Sequence, residues 1–435
     1  MSGALLYLGV LMVTFLLGIP VALGLGGTSI ILTLLERGVE GFSASFLAQR
    51  ATYGLNNFLL VAVPLFLYCG KVMNTGTITE KIFTFAESLV GWTRGGLGHV
   101  NVVASVIFAG MTGTATSDAA GLGAVELAAM KGDGYSDDFS VAVTGASSTL
   151  GPIIPPSLPL VIFGMMTATS IGGLLVAGII PGALMAIAMM AYVEYYAVRS
   201  GMKRRGKFSI RRVLHEGKRS FFALMTPAII IGGILFGIFT PTEAAAVAAV
   251  YATIVTFVGK DITWKEYVQV LKDTVEDSGI ILLIVGMAQV FGYMVTKSNI
   301  ATNLAASLLT LSTNPIVMGL LIIVFLLIVG CFLEATAAIT ILASTLLPVA
   351  ISVGIDPMQF GVIMVLTMMI GLLTPPFGMV LFILQRLSGL STNRIAKATI
   401  PFLIPLLAVD VLLLLIPGLT TWLPGLMESI WEKKG

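Results

Sequence analysis

The sequence predicts an all-α polytopic membrane protein, and three observations carry that prediction. Of 435 residues, 57% are hydrophobic and 11% charged, whereas a soluble domain carries about 25% charged residues; the mean hydropathy is +1.01. Uncharged stretches recur at 1–35, 139–193, 220–242, 298–333, 335–355, 357–385 and 411–427, and about 20 apolar residues suffice for a helix to cross a bilayer core. The apolar-outside, polar-inside alternation of a membrane β-barrel is absent. Unpaired backbone cannot face lipid, so the spans are helices. This composition excludes a water-soluble enzyme, a nucleic-acid binder and a disordered chain. With 24 Lys+Arg against 22 Asp+Glu, no polyanionic partner is implied.

Taken in order, the chain divides into a first repeat (1–198), a basic loop (199–219) and a second repeat (220–435). Its start lacks a basic n-region and a small-residue cleavage site, so it reads as a retained membrane helix. Residues 79–94 and 260–278 place apolar residues at helical spacing among charges and Trp, and both read as helices lying at the interface. Between them, 97–131 consists of two apolar arms of 12–15 residues around Thr112-Gly113-Thr114-Ala115-Thr116-Ser117-Asp118. Each arm is about 20 Å long at 1.5 Å per residue. That is too short to cross, so the segment predicts a re-entrant hairpin. Residues 315–353 predict a second, turning at Gly330–Ala337. The segments 139–171 and 357–390 contain Gly151-Pro152-Ile153-Ile154-Pro155-Pro156 and Gly371-Leu372-Leu373-Thr374-Pro375-Pro376. Proline removes a donor and leaves carbonyls unpaired, so each reads as a discontinuous helix. The stretch 199–219 holds nine of the 24 basic residues against Glu216 alone, which places it in the cytoplasm. At 239–246, Pro241 opens a helix that Thr240 or Thr242 caps, with Glu243 structural. A terminal helix spans 398–427. About a dozen membrane segments result, some of them incomplete crossings.

The halves match at an offset of 220: Gly110 with Gly330, Ala115-Thr116 with Ala335-Thr336, Gly151 with Gly371, and Pro155-Pro156 with Pro375-Pro376. Paired Gly/Pro interruptions in membrane repeats mark the binding sites of secondary transporters. Whether the repeat is inverted depends on the crossing count, which the sequence leaves open.

The chemistry concentrates at tips and breaks. Thr112, Thr114, Thr116 and Ser117 offer hydroxyl oxygens, and frayed helix ends free carbonyls; hard cations take such ligands, although small residues also serve close packing. Asp118 is a carboxylate at membrane depth, where a functional role is the default reading; capping of the second arm is the alternative. Glu334 is its counterpart, or else faces the interface. Half-helix N-termini attract anions and C-termini hold cations. Cys69 and Cys331 lie in apolar runs, and two His, His99 and His215, cannot build a zinc site alone. Arg386 is the nearest basic candidate for a carboxylate clamp, with snorkelling the simpler account. Glu194, Arg199 and Asp410 read as interfacial anchors or helix-end pairs.

The stretches 108–118, 151–164, 239–252 and 371–378 resemble the large membrane subunit (M, DctM-type) of tripartite ATP-independent periplasmic (TRAP) transporters, in order and over nearly the whole chain. The resemblance implies an elevator-type secondary transporter with inverted repeats, whose hairpins and broken helices move against a scaffold. It implies sodium-driven uptake of an organic acid such as a C4-dicarboxylate or sialic acid. It further implies a periplasmic substrate-binding protein, a small four-helix membrane subunit and the bacterial inner membrane. Carried over by motif, one Na+ site would combine Thr112, Gly113, Thr114 and Thr116 with Thr149 and Gly151. Its counterpart would combine Gly330, Ala335 and Thr336 with Gly371, Thr374 and Phe377. Substrate would sit near Ser117, Asp118 and Ser157. Family tips often carry Ser where this chain has Thr, which keeps the oxygen and adds a methyl. A stand-alone sodium/carboxylate symporter of the divalent-anion type shares this architecture and is the main alternative. A passive channel and an intramembrane hydrolase are more distant ones. The hydrolase would need a nucleophile–base pair or metal ligands that the motifs do not supply.

Overall fold

The computed structural model describes residues 9–11, 13–14, 17–38, 43–74, 76–204, 206–297, 312–375 and 378–431. Apart from one isolated β-bridge, Arg94 to Arg204, the regular structure among them is helical. The first half contains α1 (Val21–Arg37), α2 (Ala44–Leu55), α3 (Ala62–Met73), α4 (Gly76–Val90), α5 (Gly96–Thr112), α6 (Ala115–Gly132), α7 (Asp137–Ser148), α8 (Leu158–Thr167), α9 (Ile171–Ala177) and α10 (Ile179–Arg199). The second contains α11 (Ile210–Leu235), α12 (Pro241–Val258), α13 (Trp264–Lys297), α14 (Pro315–Gly330), α15 (Ala335–Ser352), α16 (Pro357–Gly371), α17 (Met379–Ser388), α18 (Thr392–Leu415) and α19 (Gly418–Trp431). Six helical stretches among the described residues are long and apolar enough to cross a membrane, α2 and α3 form a bent pair at 65°, and six shorter apolar helices accompany them.

Local chemistry sets the boundaries. Ser136, Asn314 and Asp356 accept from amides of the first turns of α7, α14 and α16, and Pro315 and Pro357 open the last two. Thr240 and Glu243 close a capping box at the start of α12. The two expected hairpins are the pairs α5/α6 and α14/α15, and the two expected broken helices are α7/α8 and α16/α17.

Four expectations are corrected. The 199–219 loop is shorter, because Arg199 ends α10 and Ser209 caps α11, making 210–219 helical. The stretch 260–278 is no separate interfacial helix: Thr263 and Glu266 cap it, and without a breaker it runs on to Lys297 as part of α13. At the 220 offset its place matches α2 rather than α4. Helix 398–427 is two helices, since Pro417 has no amide to extend α18. Asp410 is no anchor; it is buried and accepts from the Thr367 hydroxyl at 2.7 Å.

Many of the helices fall into two groups, which touch where α4 and α3 pack on α5 and α13 packs on α15. In one, α13 lies against α1, α2 and α3, α12 against α3, and α11 against α4 and α12. In the other, α7 packs on α6 and α18, and α16 on α14 and α18. The halves interlock within this second group: α8 packs on α15 of the far hairpin, and α17 packs on α6 of the near one. Polar ties close the first group. Lys71 Nζ lies 2.6 Å from Asp277, and Lys81 Nζ donates to both Asp261 oxygens at 3.0 Å. The Asp261 carboxylate is only 5% exposed, so removing its partner strands a charge. Lys81→Met should therefore destabilise the fold by about 2 kcal/mol. Lys81→Met with Asp261→Asn should recover much of that loss, as measured by thermal unfolding in detergent.

Candidate functional site

Each tip meets the break of its own half through backbone. At the first, Gly113 has φ +65° and ends α5 in the left-handed conformation that glycine adopts without penalty. Its carbonyl accepts from the Leu158 amide at 3.3 Å, and a Cβ on it would collide with the Pro156 carbonyl. A Cβ on Gly151 would stand 3.0 Å from the Thr114 carbonyl oxygen. At the second, a Cβ on Gly371 would stand 2.6 Å from Gly330 Cα and 3.0 Å from its carbonyl oxygen. The Gly110–Gly330 match is thus one of sequence only, since Gly110 packs against Pro227 of α11.

The remaining named positions sort by what their side chains do. The Thr112 and Thr149 hydroxyls donate to the Phe108 and Ala146 carbonyls at 3.3 and 2.6 Å, and that of Thr374 to Ile370 at 2.9 Å. Thr112 lies backbone-close to Gly70 of α3, where the two helix groups touch. The Thr114 hydroxyl donates to Ser117 Oγ at 2.8 Å and accepts from the Ser117 amide. Ser157 is fully buried; it caps α8 and donates to the Pro152 carbonyl. Ala335 and Thr336 open α15, where the Glu334 carboxylate accepts from the Ala337 amide at 3.0 Å and from the Thr336 hydroxyl. Phe377 lies outside the described residues. Arg386 is exposed at the end of α17.

Between the tips lies a cavity of about 590 Å³, within the range of small-molecule sites. One wall is Thr114–Ser117, the opposite one Glu334–Ala337; Pro152, Leu158, Pro159, Met369, Leu372 and Met379 come from the broken helices. Pro20–Leu23 and part of 277–284 close it from the first helix group. Five helices begin at this cavity: α1, α6, α8, α15 and α17. Each presents the positive end of its dipole, and all but α8, whose first-turn amides are taken by Gly113 and Ser157 or lost at Pro159, also present amides without intrahelical partners. Among the described residues its lining holds two carboxylates, Asp277 and Glu334, and no basic side chain. Asp277 is neutralised by Lys71. Such a site suits an anion held by amides and hydroxyls.

Asp118 and Ser157 do not line the cavity, whereas Ser117 does. Asp118, 1% exposed, points instead into the interior of the hairpin group, where neither oxygen has a hydrogen-bond partner. Sequence reasoning missed Glu126, which is equally buried in α6, because the second arm reads as apolar as a whole. An ionisable residue in mid-arm was the available signal. It also missed Asn101, whose Nδ2 donates to Thr144 Oγ1 at 2.7 Å while Ser147 donates to its Oδ1 at 2.6 Å.

Comparison with known proteins adds the following. Residues 8–419 match the family described as "Tripartite ATP-independent periplasmic transporter, DctM component". The sialic acid TRAP transporter large permease protein SiaM of Vibrio cholerae is 44% identical over 383 residues, 88% of this chain and 90% of that one. The sialic acid TRAP transporter permease protein SiaT of Haemophilus influenzae is 38% identical over 428 residues, 98% of this chain and 69% of that one. The C4-dicarboxylate TRAP transporter large permease protein DctM of Pseudomonas aeruginosa is 34% identical over 405 residues, 93% and 94% of the two chains. Among solved structures, the Alcanivorax borkumensis YdaH transporter aligns with TM-score 0.65 over 92% of this chain and 97% of its own. At 16% identity this is a likeness of fold.

The glycine contacts give a direct test. Gly371→Val forces backbone apart at the second tip, a distortion of about 2 kcal/mol, and should lower carboxylate uptake about tenfold or more. Gly232→Ala, with nothing within 4 Å of the added carbon, should leave uptake within about twofold. Uptake in vesicles normalised to inserted protein reads both.

Proposed function

The chain belongs to the DctM component family of tripartite ATP-independent periplasmic transporters, and on that premise we propose that it carries an organic acid across the bacterial inner membrane on a sodium gradient. The family is one of transporter permeases, not of enzymes. The observation that carries the reading is the convergence of five helix starts on one cavity between two oxygen-rich tips. A carboxylate there would meet amide donors and the hydroxyls of Thr116 and Ser117 without a basic side chain. Sialic acid and C4-dicarboxylates, named for the relatives, are carboxylates, and the cargo is proposed to be of that class.

Sodium would bind where tips meet breaks, at Thr112–Thr116 with Thr149 and Gly151, and at Gly330, Ala335 and Thr336 with Gly371 and Thr374. Much of this donor set is backbone carbonyl, as suits a hard cation. The hairpins and broken helices, interlocked across the halves, would move as one elevator body past α1–α4 and α11–α13. Both hairpins would then be re-entrant and the two repeats inverted. A periplasmic binding protein would deliver the cargo, and a small four-helix membrane subunit would join the framework group. Apolar residues exposed on α11 and α12, among them Phe222, Val250 and Ile254, suit contact with lipid or with that subunit.

The stand-alone symporter reading differs in one measurable respect. Proteoliposomes containing this chain and its small subunit should accumulate a labelled organic acid only with both an inward sodium gradient and the binding protein. Equal uptake of free acid without the binding protein would favour the symporter. Downhill equilibration without sodium would favour a channel.

A further inference from the structure

A polar seam runs through the interior of the hairpin group, apart from the cavity and the tip–break contacts. It lies between α5, α6 and α7. Asp118 and Glu126 both project into it from α6, each 1% exposed. Both Asp118 oxygens and Glu126 Oε1 lack a hydrogen-bond partner. Ser105 of α5 faces Asp118, is equally buried, and its hydroxyl is also without a partner. Thr144 of α7 faces Glu126. Its hydroxyl oxygen is fixed by Asn101, itself fixed by Ser147. Gly123 admits Thr144 this closely, since a Cβ there would stand 2.9 Å from its methyl.

Among the described residues no basic side chain acts on either carboxylate, and Asp118 repels Glu126. A buried carboxylate without a basic partner is relieved either by a proton or by a bound cation. The donors are oxygens only, which selects a hard cation over a transition metal. The spacing sets its charge. Asp118 and Glu126 are eight residues apart, about 12 Å of helix rise, with buried Leu122 midway. Both side chains lean the same way along the helix, so the two carboxylates cannot enter one coordination sphere. Each carboxylate, when ionised, would balance one positive charge.

We propose that this seam, which starts at Asp118 in the first turn of α6, is a cation-binding locus distinct from the tip–break contacts. Asp118 with Ser105, and Glu126 with Thr144, each take one monovalent cation of the sodium class. The seam rests on the proposed sodium coupling only for the choice of ion and is independent of the cargo.

The test is equilibrium binding of radioactive sodium to the full chain with its small subunit in nanodiscs, without cargo. Asp118→Asn and Glu126→Gln should each bind about one sodium ion fewer per chain than wild type. Ser105→Ala, a milder change, should weaken the affected site about tenfold and serves if Asp118→Asn does not fold. Melting in choline chloride checks folding of every variant. Unchanged sodium stoichiometry in both carboxylate variants, with unchanged affinity in Ser105→Ala, overturns the proposal. Loss of sodium-driven uptake with intact seam binding would count against the transport reading alone, so the two fail separately.

Discussion

Backbone that leaves a helix inside an apolar layer must find partners within the protein, and this chain is organised around four such departures. Two hairpin tips and two proline-broken helices release amides and carbonyls where the chain leaves the helix. The fold answers by pressing each tip against the break of its own half, Gly113 and Thr114 on Gly151 and Leu158, Gly330 on Gly371. Contact this close needs residues without side chains on at least one partner, which accounts for glycines at those positions. Groups left over after this pairing are the material of the proposed site: carbonyl oxygens beside the glycines, and amides at the starts of α6, α15 and α17.

The same arrangement fixes the electrostatics. A cavity for an organic anion would ordinarily be sought through an Arg or Lys. Here the lining residues are acidic or hydroxylic, and Lys71 is committed to Asp277. Positive potential comes from helix ends instead. It is spread over both halves, so an anion between the tips would be held only with the two halves together. Cross-packing of α8 on α15 and of α17 on α6 makes that assembly a single body, which is what an elevator would need to carry cargo and ions as one unit.

The large features were legible in the sequence because they depend on residue type at fixed spacing. Gly-Pro runs, two short apolar arms around a polar tip, and the offset of 220 gave both hairpins and both breaks within a few residues. Capping by Thr240 and Glu243 was legible for the same reason. Features that depend on which side of a helix faces which neighbour were not. Asp118 sits at the tip in sequence, yet one helical step beyond Ser117 turns it away from the cavity and into the seam. Ser157 belongs to the break but spends its hydroxyl on Pro152. Glu126 and Asp410 were hidden in apolar company, and the join of 260–278 to the rest of α13 left no mark, since continuing a helix requires no signal residue.

The account stands on the claim that cargo sits between the two tips and is held by helix starts. A cryo-electron-microscopy structure of the chain with its small subunit, saturated with sodium and cargo, tests this most directly. The cargo should lie between Thr114–Ser117 and Glu334–Ala337, its carboxylate within hydrogen-bond distance of first-turn amides or of the Thr and Ser hydroxyls. Cargo found outside that cavity, or clamped by an Arg or Lys side chain, would contradict the account.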